Sequence, residues 1–391
     1  METMEKNNKT LNVPHLRFPE FSGEWEKCKV SDILEFYSTN SLAWEQLEYG
    51  TEGLKNLHYG LIHNGLSTCV DTEDASLPVI KQNCTPKNYT ECQNGDVAFA
   101  DASEDTNDVA KCVEFTDCHA DRVVCGLHTI HGRDKGDKTV VGFKGYSFSS
   151  QIFRNQIRRL AQGTKIYSIS SKNFSECSIG IPSKVEQAKI ATLLKLIDQR
   201  IQTQKKIIEK YESLIIGLCE KLTRQGTPNK TISECLECHS STLQESTVLD
   251  AGSYPVYGAI GICGYTDTPE VSGDGILIIK DGASVGVTYF ADGSYSSIGT
   301  LNRLTAKEDI NLRYIYYCLK VLNFTPYKTG LAIPHIYFKD YGKHNIWCPP
   351  LEQQSRIVDA LTTIDNKIQV EKSLLEQLNS QKRYMLKQMF I

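Results

Sequence analysis

The sequence of 391 residues predicts a mixed α+β protein: two globular modules joined by two long antiparallel coiled-coil helices, with pseudo-two-fold symmetry between the halves. Three observations lead there. The segment Gly163 to Ser213 recurs without a gap as Gly330 to Ser380, with 16 of 51 positions identical, the mark of an internal duplication. Each copy then crosses a proline, Pro182 or Pro349, beyond which apolar residues recur in alternating steps of four and three. Such a pattern is the narrow seam of a coiled coil rather than the broad face of a surface helix. Finally, the stretches ahead of the two prolines mix short β-branched runs with Gly, Asn and Asp, the texture of strands and loops.

Taken in order, residues 1–15 form a polar tail and 16–182 the first module. That module opens on an irregular segment, Leu16 to Trp25, has short strand-like runs at Val97 to Phe99, Val123 to Val124 and Thr139 to Phe143, and closes with a basic helix from Arg154 to Leu160. Ser183 and Glu186 have the spacing of a capping box and open the first long helix, 183–224. Its seam runs Ile190, Leu194, Ile197, Ile201, Gln204, Ile208 and on to Leu222. The second module, 225–349, carries extended runs at Tyr254 to Gly258, Ile276 to Gly282 and Ser284 to Phe290, then a helix from Leu312 to Leu322. The second long helix, 350–391, has the seam Ile357, Leu361, Ile364, Ile368, Glu371, Leu375 and on to Met389. Two such helices in one chain meet each other first, because their effective concentration is high. An antiparallel pairing sets the modules at opposite ends and brings Gln204 to Glu371 near the middle, where one buried polar pair can fix the register.

Composition is that of an ordinary globular chain, 40% hydrophobic and 23% charged. No apolar run reaches the roughly 18 residues of a membrane span, and the polar start has no secretory core, so a cytoplasmic protein without a membrane partner is expected. In that compartment the 14 cysteines are packed thiols. Cys235, Cys238 and His239 have haem-attachment spacing, and Cys112, Cys118, His119, Cys125, His128 and His131 form a group that zinc could use, but the intervals are irregular and no bound metal is expected. The net charge of −4 hides a strong asymmetry. Gly65 to Asp121 holds 12 acidic and three basic residues, whereas His131 to Lys172 holds nine basic and two acidic. The basic run, with Arg133, Lys135, Lys138, Lys144, Arg154, Arg158, Arg159 and Lys165, reads either as a solvated face or as a phosphate-contacting surface.

Enzyme signatures fail. Gly132 to Thr139 has three residues rather than four between its glycines, so it misses the phosphate-loop spacing, and the glycine runs at Gly258 to Gly264 and Gly282 to Gly286 read as tight turns. Cys348 to Leu351 only echoes an adenine-methylation motif. No spacing singles out an acid/base pair.

Four blocks in fixed order carry a resemblance. They are Leu16 to Trp25; His58, Tyr59 and Gly60 with Ile62 and His63; Tyr254 to Gly286; and the paired proline-glutamine blocks Pro182 to Ile190 and Pro349 to Ile357. In these the chain closely resembles the specificity subunit of type I restriction-modification systems. The resemblance implies that 16–182 and 225–349 are target-recognition domains, each reading half of a bipartite double-stranded DNA sequence, and that the subunit is itself non-catalytic. It also implies two modification subunits that methylate adenine with S-adenosylmethionine, and two restriction subunits that use ATP and Mg²⁺; this chain would bind no cofactor. Arg154, Arg158, Arg159 and Lys165 are the candidate phosphate contacts, and His58, Tyr59, Tyr257, Lys280 and Arg303 the candidate groove contacts, with core packing the competing reading of the aromatic and histidine choices. Lys172 and Lys339, which recur in the repeat, are assigned to scaffold or subunit docking. The acidic stretch Gly65 to Asp121 departs from a simple picture of a DNA-binding module. Two other readings stay open: a coiled-coil adaptor without DNA specificity, and a nuclease or methyltransferase with unfamiliar motifs.

Overall fold

Lys184–Thr223 is one unbroken helix, and Leu351–Gln388 is a second. They belong to a computed structural model that describes residues 12–391 apart from Thr51, Asp74, Ala75, Asp137 and Leu331, so most of the polar tail at 1–15 lies outside the described residues. Chain contacts divide the protein into two units, Met1–Gln204 with Leu375–Ile391, and Lys205–Leu374. The division falls inside both long helices, so each unit consists of one module and a part of each helix.

In the first unit a five-stranded sheet runs in the order Leu34–Tyr37, Thr129–Asp134, Val97–Ala100, Cys112–Asp117, Cys69–Asp71. A four-stranded sheet runs Val123–Cys125, Lys55–Leu57, Val79–Ile80, Leu47–Glu48. The second unit repeats the plan with Leu236–Ser240, Leu301–Ala306, Gly275–Ile279 and Thr288–Ala291 in one sheet, and Gly261–Thr266, Tyr254–Gly258, Ser294–Ser297 and Val271–Ser272 in the other. Both larger sheets begin with three consecutive antiparallel pairings, and both smaller sheets contain one parallel pair. Each module starts with a short strand and a one-turn helix, Glu26–Lys29 then Val30–Ile33, or Lys230–Thr231 then Ile232–Cys235. Each of those strands pairs with the strand just before a long helix, Ser178–Ile181 or Asn345–Ile346. The duplication therefore reaches well beyond the segment that is still alike in sequence.

Alternation places the core, because successive strand residues face opposite sides. In the second unit Ile276, Ile278 and Leu304 pack against Tyr314 and Ile315 of the helix Leu312–Lys320 and against Ile215, Cys219, Ile357, Leu361 and Ile368 of the long helices. The intervening Leu277, Ile279 and Leu301 face Val256 and Tyr295 of the smaller sheet.

The seam residues Ile190, Leu194, Ile197, Ile201 and Gln204 are buried in the first unit. There the helices run antiparallel. Trp25 donates to Glu186 and meets Phe390 edge-on at 6.4 Å, while further along Asp198 pairs with Lys382 at 2.6 Å. In the second unit Ile208, Ile357, Leu361, Ile368 and Glu371 are buried, and Ile364 is half-buried, as is Leu375 in the first. Again the direction is antiparallel, since Glu212 pairs with Lys372 at 2.6 Å and Leu222 lines a cleft with Ile357.

Why particular residues recur in the repeat is now physical. Gln187 donates to the carbonyls of Lys138 and Pro182, both at 2.9 Å, and accepts from the Val140 amide at 3.0 Å. Gln354 donates to the Pro349 carbonyl at 2.8 Å and accepts from the Asn311 amide at 2.9 Å. Each glutamine thus fastens the start of a long helix to the loop that leads into its module's helix. Asp198 accepts from the Tyr146 hydroxyl at 3.0 Å, and its repeat partner Asp365 accepts from Lys320 at 3.3 Å. Gly163 and Gly330, at φ of 145° and 87°, make the same turn around the carbonyls of Ile166 and Ile333, which a side chain would strike. The capping box forms only in part: the Glu186 amide donates to Ser183 Oγ at 3.3 Å, but the Glu186 carboxylate takes Arg17 at 2.7 and 2.8 Å instead of turning back on the cap.

Gln354 is 1% exposed, so Gln354→Leu strands the Pro349 carbonyl and the Asn311 amide and destabilises the protein by about 2 to 6 kcal/mol at roughly 1 to 3 kcal/mol per orphaned group. Arg356→Ala, which removes an exposed pair with Glu352, changes stability by less than about 0.5 kcal/mol. Urea unfolding of the two variants compares them.

Candidate nucleic-acid interface

Much of the basic run is spent on structure. Arg133 holds the buried Asp96 at 2.8 and 2.9 Å, Lys138 reaches Glu26 at 2.8 Å, and Lys144, 2% exposed, lies 3.2 Å from the fully buried Glu114. Burial pushes the Glu114 carboxyl up, against the Lys144 charge that draws it down. Arg154 and Arg158 turn to Asn107, Arg154 to its backbone carbonyl and Arg158 to its side-chain oxygen at 3.0 Å. Asp96 and Glu114 of the acidic stretch are thus internal partners of the basic one, while Glu73, Glu104 and Asp105 stay exposed. Arg159 and Lys165 remain exposed, with no hydrogen bond or ion pair among the described residues.

In the first module His58 is 3% exposed. Its Nδ1 accepts from the Gly60 amide at 3.2 Å and caps the short helix Tyr59–His63, while its ring lies 4.4 Å from Trp44 and 4.6 Å from Tyr59. Burial and the nearby His128 hold its pKa below the usual histidine value. His58 is therefore the support of an aromatic cluster whose outer members are Trp44, Tyr59 and His128, the last two rings 5.3 Å apart. Sequence spacing places His128 only in the candidate zinc group and leaves Trp44 unmarked, because only the fold brings the two to His58.

In the second module Tyr257 is half-buried, 6.5 Å from Tyr289 and 5.8 Å from Tyr295. It lies within the strand that pairs in parallel, whereas Tyr59 comes two residues after the parallel-paired strand of the first module; each tyrosine precedes a glycine. Arg303 lies on the central strand opposite His239, on the face that carries Leu277, and packs with Tyr295 over Gly275. Lys280 is half-buried at the end of Gly275–Ile279, one residue ahead of the Asp281 carboxylate that His335 meets at 2.6 Å. The turn between the strands Tyr254–Gly258 and Gly261–Thr266 projects Ile260, 88% exposed, next to this face. The structure thus brings Tyr257 and Arg303 onto elements flanking one small core and leaves Lys280 at the end of the strand between them.

Comparison with known proteins points the same way as the resemblance in sequence. A model described as the type I restriction modification DNA specificity domain matches residues 229–380. That match covers the second module and most of the second long helix, 152 of the 391 residues. Among curated relatives, the specificity subunit of the type I restriction enzyme MjaVIII of Methanocaldococcus jannaschii is 32% identical over 123 residues, 31% of this chain and 29% of that protein. The putative type I restriction enzyme specificity subunit S.HindORF215P of Haemophilus influenzae is 29% identical over 129 residues, 32% of this chain and 34% of that one. The matched stretch thus spans about a third of each curated relative's length. Among solved structures, the type I S subunit of M. genitalium superposes with a TM-score of 0.62 at 18% identity, over 97% of this chain and 99% of that one. A chain from a structure concerned with assembly and conformational transition of the type I R-M system gives 0.54 at 15%, over 93% and 96%. These two establish the fold of both modules, the first included. Among the described residues no helix is long and apolar enough to cross a membrane.

Lys144→Met removes the cation that draws the Glu114 carboxyl down, so the buried group either stays charged without a partner or takes up a proton, and the variant loses up to about 3 to 5 kcal/mol. Because the loss arises from the ionised carboxylate, it shrinks as pH falls and Glu114 takes up a proton in both proteins. A pH series of urea midpoints measures this.

Proposed function

We propose that the chain is the non-catalytic specificity subunit of a cytoplasmic type I restriction-modification complex, in which each module reads one half of a bipartite target in double-stranded DNA. The observation that carries this reading is the duplicated module, each copy fastened by an equivalent buried glutamine to a long helix, in a chain whose fold matches a type I S subunit over 97% of its length. Identical mounts with unlike outer surfaces suit a reader of two unlike half-sites. Methylation and cleavage then fall to partner subunits, two for modification with S-adenosylmethionine and two for restriction with ATP and Mg²⁺.

Support for a pair of equal partners lies in the repeat. Ile166 and Ile333 occupy matching glycine turns and are 63% and 59% exposed, so the chain offers the same apolar contact twice. Exposed isoleucines at equivalent places are poorly explained by packing within the chain. Lys172 and Lys339 follow these turns and belong to the same docking role.

On the DNA side, Arg159 and Lys165 contact phosphates, and Arg154 and Arg158 add to that field while bracing the loop at Asn107. Tyr59, with Trp44 and His128 about it, and Tyr257 with Arg303 and Lys280 approach the grooves; His58 positions the first group from beneath. Gln204 and Glu371 fix the helix register, and helix length sets the half-site spacing.

Sequencing the methylome of a host with and without the gene reveals a bipartite adenine-methylation motif that depends on it; an unchanged methylome removes the reading. Lys165→Ala weakens DNA binding of the assembled complex on all sequences and lowers the salt slope by about 1, whereas Tyr257→Ala relaxes one half-site only. Removing two heptads from both long helices together shortens the spacer by about 21 Å, or about six base pairs, and the recognised spacing changes or is lost.

A further inference from the structure

Beneath the larger sheet's edge in the first module, Cys92, Cys125 and His131 meet with no solvent access of consequence. The three are 6%, 2% and 0% exposed, and one donor atom from each lies within 4.8 Å of the other two. The two sulfurs are 3.6 Å apart. Zinc–sulfur bonds of about 2.3 Å at a tetrahedral angle hold two thiolates about 3.7 Å apart, so the separation already matches a shared metal.

His131 supplies the second observation. Its Nε2 donates to Asp96 Oδ2 at 2.7 Å, and Asp96 is in turn held by Arg133 at 2.8 and 2.9 Å and by the Gln93 amide at 2.9 Å. Its Nδ1 is buried and has no hydrogen-bond partner among the described residues. With Nε2 committed to a carboxylate, the neutral ring presents a lone pair at Nδ1, and a carboxylate behind a ligating imidazole is the usual outer partner in metal sites. A buried acceptor left empty is destabilising unless something fills it.

We propose that Cys92, Cys125 and His131 form a structural zinc site that ties the loop before Val97–Ala100 to the strands Val123–Cys125 and Thr129–Asp134. Two thiols and a borderline nitrogen suit Zn²⁺ over the harder divalent ions. On binding, each thiol releases its proton to solvent, so the dication and two thiolates are neutral together while the Asp96 charge stays balanced by Arg133. A fourth tetrahedral position remains for a further ligand. This is a departure from the metal-free expectation drawn from sequence, where the irregular spacing of the other cysteines hid Cys92 altogether. It does not rest on the proposed DNA reading.

The test uses the full chain, purified under reducing conditions, stripped with a chelator and reloaded. About one zinc per chain is expected by elemental analysis, and Co²⁺ in its place shows a sulfur-to-metal charge-transfer band with the intense visible absorption of a tetrahedral site. The double variant Cys92→Ser with Cys125→Ser loses both signals, Cys84→Ser keeps them, and Asp96→Asn, which alters only the positioning residue, weakens binding roughly 10- to 100-fold. If the double variant fails to fold, the Co²⁺ spectrum of the unaltered chain decides. The proposal is overturned if the reloaded chain takes up no stoichiometric metal, if the cobalt spectrum lacks thiolate bands, if metal survives in the double variant, or if Cys92 and Cys125 form a disulfide in the reduced preparation.

Discussion

Everything in this fold hangs on how a β-rich module is fastened to a helix much longer than itself. The fastening is a buried glutamine side chain, Gln187 or Gln354, that satisfies main-chain groups of the helix start and of a distant loop at once. A buried amide with all its partners is rigid, and with one missing it is costly. This explains why the duplicated segment stays recognisable around the two glutamines while sequence elsewhere in the modules has drifted. The mount is constrained by hydrogen-bond geometry, and the outer loops are constrained only by what they bind.

Electrostatics follows the same division. The contest between an acidic and a basic stretch in the first module narrows when Asp96 is seen with Arg133 and Glu114 with Lys144. Some charges that look like a surface in sequence, Asp96, Glu114 and Lys144, are internal braces in space. Of the basic run, Arg159 and Lys165 stay exposed, and elsewhere in the module the outer rings Trp44 and Tyr59 rest on the buried His58.

The legible parts of the sequence were those governed by periodicity. The seam from Ile190 to Ile208 and from Ile357 to Leu375 follows from a heptad pattern, and the repeat itself announced that Gln187 and Asp198 have counterparts. The capping box was half legible: Ser183 caps the helix, but Glu186 is claimed by Arg17 and Trp25 from the leading segment, a competition between elements that are far apart in sequence. The surface was the least legible. Trp44 and His128 join His58, and Cys92 joins Cys125, only because strands from separate parts of the chain are laid side by side, and no spacing rule records that.

The central claim is that constant mounts carry interchangeable readers, and a chimera tests it most directly. Residues 241–300 of the second module are replaced by the corresponding segment of another specificity subunit whose target is known, and the methylation motif of the host is sequenced. The account predicts that one half of the motif changes to that of the donor while the other half and the spacing persist. A chimera that folds and assembles yet alters both halves, or leaves both as they were, contradicts it.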